Sequence, residues 1–259
     1  MKIGLTQIVK GDLSPEEFLR FAKRTGYESV ELSVGPGVLD EDSACEKVKA
    51  LAGELELELS SAIVMGADCG NLLSPIEEER KKRLDTLREA IRVANRLGVD
   101  TTLLHPGQLG PEARYDKSWT WLMEGLREVA EEAKEANVVV ALEHVWNKFI
   151  LSPTEMRDFI DEVGDPFVKV YLDTGNMVTY GYPEHWIEIL ADRIQKVHFK
   201  DFRRSDHQFV PLMEGDVDWP KVMAAFRSIG YDDAVISECG GDEAEHRDTA
   251  ERMRKIIAM

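Results

Sequence analysis

Cysteine, basic charge and long apolar runs are all scarce in this chain. The three cysteines, Cys45, Cys69 and Cys239, show no CxxC spacing. So sparse and odd a set argues against a disulfide framework and fits a reducing, cytoplasmic compartment. No stretch approaches 18 uninterrupted apolar residues, so no membrane span is expected. The opening MKIGLTQIVKGD lacks a long apolar segment and a cleavage-like site, and no signal peptide is expected. Neither GxGxxG nor GxxxxGK[ST] occurs, which counts against a doubly wound nucleotide-binding sheet. Lysine and arginine total 32 against 49 aspartates and glutamates, a formal net charge of -17. A field of that sign repels nucleic acid and anionic lipid, so neither is an expected partner. A small anionic substrate in a locally basic pocket stays open.

What the chain does have is regular punctuation. The pattern Ser-Pro-x-Glu occurs at Ser14–Glu17, Ser74–Glu77 and Ser152–Glu155. A capping serine, a proline at the first helical position and a glutamate three after the serine together announce a helix start. Short apolar runs at 2–8, 29–32, 55–63, 101–104, 138–142, 168–172, 194–199 and 234–237 read as strands, and a helix signal follows each. Runs such as VVVAL and VKVYL are continuous rather than alternating, as in parallel strands covered on both faces. Glycine-bearing segments, including Gly35-Pro36-Gly37 and the stretch from Met65, read as loops. With 43% apolar residues over 259 and no linker or low-complexity tract, the expectation is a single (β/α)8 barrel domain spanning 1–259.

A barrel gathers the C-terminal ends of its strands around one mouth. Four consecutive strand signals end in Glu143, Asp173, His198 and Glu238. Three carboxylates and an imidazole, with no thiolate, make a candidate site for one divalent cation, Mn²⁺ foremost, with Mg²⁺, Co²⁺ or Zn²⁺ as alternatives. Glu143 and Glu238 are also the candidate catalytic pair. A carboxylate on each face of a chelated substrate can remove a proton from one face of a carbon and return one to the other. The metal polarises the adjacent carbonyl. That chemistry gives epimerisation or aldose–ketose isomerisation through a cis-enediolate.

Around this centre, His105, Asn176, Arg204 and Trp146 are candidate substrate-binding residues, and Asp201 is a candidate for orienting a ligand. Lys200, Arg203 and Arg204 form a local basic cluster. Trp146, Phe149, Tyr180, Tyr182 and Trp186 could form an aromatic wall, and equally could be loop packing or a dimer contact. Gly175 and Gly181 suit tight loops. His185 and His246 fall on expected helices and read as structural or exposed, His207 has no assignment, and Asp216 and Asp218 read as turn and cap residues.

The strings EHVWNKF, YLDTGN, VHFKDF and ISECG resemble the xylose isomerase-like TIM barrel superfamily of sugar isomerases and epimerases. They look most like its ketose 3-epimerase, L-xylulose 5-phosphate 3-epimerase and hexulose-6-phosphate isomerase branch. The resemblance implies a metal held by Glu143, Asp173, His198 and Glu238, the first and last serving as acid and base, and substrate binding by Arg204. Where the family often has a substrate-binding histidine, this chain has Asn176. Where a further glutamate is common, it has Ile150. The implied substrate is a sugar or sugar phosphate, and the implied assembly a homodimer or homotetramer. Two other readings remain: a metal-dependent dehydratase of a cyclic polyol ketone, and a non-catalytic sugar-binding barrel. The superfamily's abasic-site endonucleases need more histidines, and the acidic charge points the same way.

Overall fold

Each apolar run becomes a strand whose alternate residues point to opposite sides, as the period of two requires. In the computed structural model, which describes residues 1–34, 39, 41–64 and 69–259, β1 (Ile3–Thr6), β2 (Ser29–Val34), β3 (Glu58–Val64), β4 (Thr101–Leu104), β5 (Val139–Glu143), β6 (Val168–Asp173) and β7 (Ile194–Phe199) are barrel strands. A short antiparallel hairpin, β8 (Asp201–Arg203) and β9 (Gln208–Val210), precedes the last barrel strand, β10 (Val235–Ser237). The barrel is closed and parallel, with β10 lying between β7 and β1. Eight helices among the described residues alternate with these strands: α1 (Pro15–Thr25), α2 (Asp42–Glu54), α3 (Glu77–Leu97), α4 (Tyr115–Ala136), α5 (Pro153–Val163), α6 (Pro183–Leu190), α7 (Trp219–Ser228) and α8 (Glu243–Ile257). The chain is a (β/α)8 barrel. The expected Gly35-Pro36-Gly37 turn and the start of the loop at Met65 lie outside the described residues.

The punctuation holds at two of the three Ser-Pro-x-Glu sites. Ser14 and Glu17 form a reciprocal capping box on α1, and Ser152 accepts from the Glu155 N–H on α5. Ser74 differs. Its hydroxyl accepts from the Ile76 N–H and its own N–H reaches the Asn71 carbonyl, so it closes a turn and α3 begins at Glu77. Asp218 caps α7 as expected.

The outward residues of the strands, such as Val140, Leu142, Val170, Leu172 and Val197, pack with the helices in one large apolar cluster. Burying each such side chain contributes roughly 1.5–3 kcal/mol. Ile63, Leu103, Ala141 and Tyr171 form a second, much smaller cluster. Gly4 stands on β1 where an added Cβ would collide with Ile236 and Ser29, so a bare backbone allows the close approach of β10 and β2.

Candidate metal centre and active site

The same alternation that builds the apolar shell points polar groups into the barrel. On β6, Tyr171 and Asp173 share the inner face. On β7 and beyond, His198 and Lys200 do so. Glu143, Asp173, His198 and Glu238 thereby converge, each offering a ligand atom within 4.8 Å of the others. His198 Nδ1 stands 3.3 Å from both Glu143 Oε1 and Glu238 Oε2. Asp173 is fully buried. Its Oδ1 accepts the N–H groups of Gly175 and Asn176, which fixes the carboxylate. Its Oδ2 accepts no hydrogen bond, and the Lys200 ammonium stands 3.5 Å away. A buried carboxylate oxygen without a donor is costly unless a cation completes it. That oxygen, two further carboxylates and the Nδ1 of an imidazole fit a divalent cation by donor type.

Glu31, in the middle of β2, was not foreseen. Its buried carboxylate meets His198 Nε2 at 3.1 Å and accepts the hydroxyls of Thr6 and Ser61, each at 2.7 Å. Ser61 continues to the Tyr171 hydroxyl at 3.2 Å, and the Tyr171 ring lies 4.5 Å from that of His198. A carboxylate on the far nitrogen fixes the orientation of an imidazole and leaves Nδ1 for the centre. A signal was present in SVELSV, where a lone glutamate shares a strand face with Ser29 and Ser33.

Lys200 is the centre's own cation. Its ammonium reaches Glu238 Oε2 at 3.1 Å and Asn176 Oδ1 at 3.2 Å. Gly175 makes this possible, because a Cβ there would strike the Lys200 Cβ and backbone. The carboxyls of the proposed pair are pushed in opposite directions. Burial raises Glu143 to about 7, against the pull of His198. Burial also pushes Glu238 up, but the His198 hydrogen bond and the Lys200 charge outweigh it and hold Glu238 at about 2.

Over this centre lies a mouth cavity of about 210 Å³, lined by His105, Glu143, Trp146, Asn176, Phe209 and Glu238 among others. His105 Nδ1 accepts the Gly107 N–H, so its proton sits on Nε2. The Asn176 amide is held between the His144 carbonyl and Lys200. Trp146 donates to the Asn176 carbonyl and stacks on His207 and Phe209 of the hairpin. The anticipated aromatic wall is divided. Phe149 packs on Tyr115 in the core, Trp186 is buried against His144, and Tyr180 and Tyr182 are exposed. Only Trp146 of the five lines the mouth, and its companions come from the β8–β9 hairpin, which is not among the strands expected from the sequence. Ile150 is buried, its N–H on the Tyr115 hydroxyl, so no carboxylate stands there.

Two residues are placed differently from expectation. Asp201 follows Lys200, so the period of two turns it away from the centre. Its carboxylate accepts from the N–H groups of Phe202, Met213 and Val217 and from Trp219 Nε1, and bonds none of the four ligands. Its work is to shape the hairpin loop. The guanidinium of Arg204 is engaged by the Val178 and Gly181 carbonyls and lies 5.1 Å over Tyr182, tying β8 to the loop after β6. Arg203 is paired with Asp206.

The sequence profile of the xylose isomerase-like TIM barrel family matches residues 19–256. The chain belongs to this family. It is 26% identical over 243 residues to the L-ribulose-5-phosphate 3-epimerase UlaE of Salmonella paratyphi C, covering 89% of this chain and 84% of that protein. Among solved structures, the D-psicose 3-epimerase of Clostridium cellulolyticum H10, seen with D-tagatose, superposes with a TM-score of 0.85 at 19% identity, covering 99% of both chains. The 3-keto-D-glucoside 4-epimerase YcjR of E. coli superposes with a TM-score of 0.82 at 20% identity, covering 98% of this chain and 99% of that one. At these identities the structural matches establish a shared barrel fold.

Proposed function

We propose that this protein is a divalent-metal-dependent sugar epimerase that moves a proton at a carbon next to a carbonyl. The observation that carries the reading is the convergence of Glu143, Asp173, His198 and Glu238 at the barrel mouth, with one buried Asp173 oxygen lacking a donor. The relatives' names point to the same class of reaction: UlaE is an L-ribulose-5-phosphate 3-epimerase, and two structural neighbours act as D-psicose 3-epimerase and 3-keto-D-glucoside 4-epimerase. Glu143, Asp173, His198 and Glu238 would hold a divalent cation, Mn²⁺ foremost, which would supply Lewis-acid polarisation of the substrate carbonyl.

This chain's residues do the rest. One of the two glutamates, as carboxylate, takes the proton as the C–H bond breaks and its electron pair moves toward the carbonyl oxygen. The other, as acid, delivers a proton to the opposite face. Two carboxyls whose environments push them apart are suited to these complementary roles. His105 donates through Nε2–H to a substrate oxygen, the Asn176 amide contacts a hydroxyl, and Trp146 offers a flat face to the sugar. Arg204 acts by holding the loop after β6. A cytoplasmic setting is part of the proposal, supported by three unpaired cysteines. No described helix is long and apolar enough to cross a membrane.

The test is proton exchange. The Mn²⁺-loaded protein in D₂O is given ketoses and ketose phosphates and followed by NMR. Deuterium appearing next to the carbonyl together with an epimer is the expected result. Loss of a hydroxyl from a cyclic polyol ketone, with no exchange on any sugar, would replace the epimerase reading with a dehydratase.

A further inference from the structure

A second cavity, of about 680 Å³, opens beside the mouth cavity. The two share Lys200, Phe209 and Glu238, so the spaces adjoin across these three side chains. That space lies between the β9 end of the hairpin and the first turns of α8. It is of the size that takes a multi-ring small molecule, whereas 210 Å³ holds only a small one.

Its walls are of two kinds. Phe209, Pro211 and Ala244 give apolar surface, while Glu245, Asp248 and Thr249 give acceptors. Lys200 is the one cation among the lining residues, and it is already held by Asp173, Asn176 and Glu238. Arg252 stands outside the lining and is taken up by Asp248, Glu214 and the Leu212 carbonyl.

Barrels commonly hold a phosphate on the loops after their last two strands and a helix N-terminus there. Here both helix starts are filled by the chain's own carboxylates. Asp242 accepts the Ala244 and Glu245 N–H groups on α8, and Glu245 returns to the Asp242 N–H. Asp218 accepts the Lys221 N–H on α7. The segments 35–38, 40 and 65–68 contain no lysine or arginine that could add a cation. A phosphate at the far end of the substrate would meet Glu245 and Asp248, while the Lys10 ammonium stands outside the lining, on the Gly241 carbonyl at 2.6 Å. A neutral polyhydroxylated group would meet acceptors for its hydroxyls and apolar faces for its C–H surfaces.

We propose that the 680 Å³ cavity is a subsite for a neutral sugar unit, and that the substrate is an unphosphorylated ketose carrying a glycosidic extension. The inference rests on the epimerase reading above and narrows its substrate class. It sets this chain apart from relatives named for phosphorylated sugars.

The experiment uses three ketoses that differ at one carbon: D-fructose, D-fructose 6-phosphate and 6-O-α-D-glucosyl-D-fructose. Each is given to the Mn²⁺-loaded full chain in D₂O, and kcat/KM for exchange is measured. The glucoside should exceed the phosphate by about 100-fold, the scale on which like charges reject a partner. Ala244→Trp, at an exposed position on the cavity wall, should lower the glucoside-to-fructose ratio about tenfold, the low end of what altering pocket contacts achieves. A preference for the phosphate, or an unchanged ratio in Ala244→Trp, would overturn the subsite while leaving the epimerase reading intact. No exchange on any of the three would overturn the subsite, while the wider ketose and ketose phosphate panel decides the epimerase reading separately.

Discussion

The apolar shell around the barrel and the polar interior of the barrel are built from alternate residues of the same strands, and they follow different rules. Val140 and Leu142 face the shell, where they join one large cluster with the helices. Ala141 and Glu143, between and beside them, face the interior. The shell is uniform and non-directional, so any well-shaped apolar residue serves. The interior holds few apolar residues and a chain of contacts from Thr6 and Ser61 through Glu31 to His198 and on to Glu143 and Glu238. Each of its members satisfies a particular neighbour, so none is replaceable by size alone. Stability is concentrated in the first region and chemistry in the second.

The largest expected break comes from the pair itself. Glu143→Gln and Glu238→Gln should each lower the exchange rate by about 10³-fold, the middle of the range for a lost general acid or base. Thermal unfolding should change less in Glu143→Gln than in Glu238→Gln, because burial raises Glu143 to about 7 whereas His198 and Lys200 hold Glu238 ionised. Near-wild-type turnover with metal bound would remove both residues from the acid–base role. Leu126→Ala tests the other region. Leu126 is fully buried on α4 in the shell, and its truncation should cost roughly 2–5 kcal/mol in denaturant unfolding. Well below the transition, kcat should stay as it was. A matching loss of kcat would show that shell and interior are not separable.

Glu31→Gln sharpens the boundary between the two. Glu31 is as buried as any shell residue, yet its carboxylate is bonded to Thr6, Ser61 and His198. If it orients His198, Mn²⁺ affinity by calorimetry should weaken about 10- to 100-fold. Unchanged affinity would leave Glu31 with packing alone.

The difference also explains what could be read from the sequence. Shell-building strands are local patterns, and all eight were visible as apolar runs. The helix starts were visible wherever serine or aspartate capped them. Glu143, Asp173, His198 and Glu238 could be picked out because each ends a run, and a barrel brings such ends together. Glu31 could not, since its partner His198 lies 167 positions away and they meet only once the ring closes. Asp201 was misplaced by one step of the strand period, which separates the centre-facing Lys200 from a residue that ties down the hairpin. Arg204, just past β8, has its guanidinium on the carbonyls of 178 and 181. Short polar hairpins such as β8–β9 carry too little apolar pattern to be recognised, and this one supplies Phe209 to both cavities.

The smallest expected effect concerns a histidine that belongs to the shell. His246 on α8 is fully buried, with its ring edge-on to Phe21 at 5.1 Å, and neither ring nitrogen has a hydrogen-bond partner among the described residues. Burial, with Lys10 nearby, lowers its pKa to about 4. In the unfolded chain it titrates near 6.5. Between those values the unfolded state binds the extra proton, so His246 stabilises the fold fully above about pH 6.5 and progressively less as pH falls toward 4. The loss should approach about 2 kcal/mol by pH 4.5, short of the full shift because the imidazole in the fold begins to take up its own proton as the pH nears 4. His246→Phe keeps the ring and cannot titrate. Comparing the two proteins by thermal unfolding from pH 7 to pH 4.5 isolates this residue from the carboxylates that titrate in both. The variant should lose less stability on acidification than the parent, and its metal affinity should be unaltered. Parallel curves would mean that the site accepts a charged imidazole, and that the shell behind α8 is more polar than its apolar lining implies.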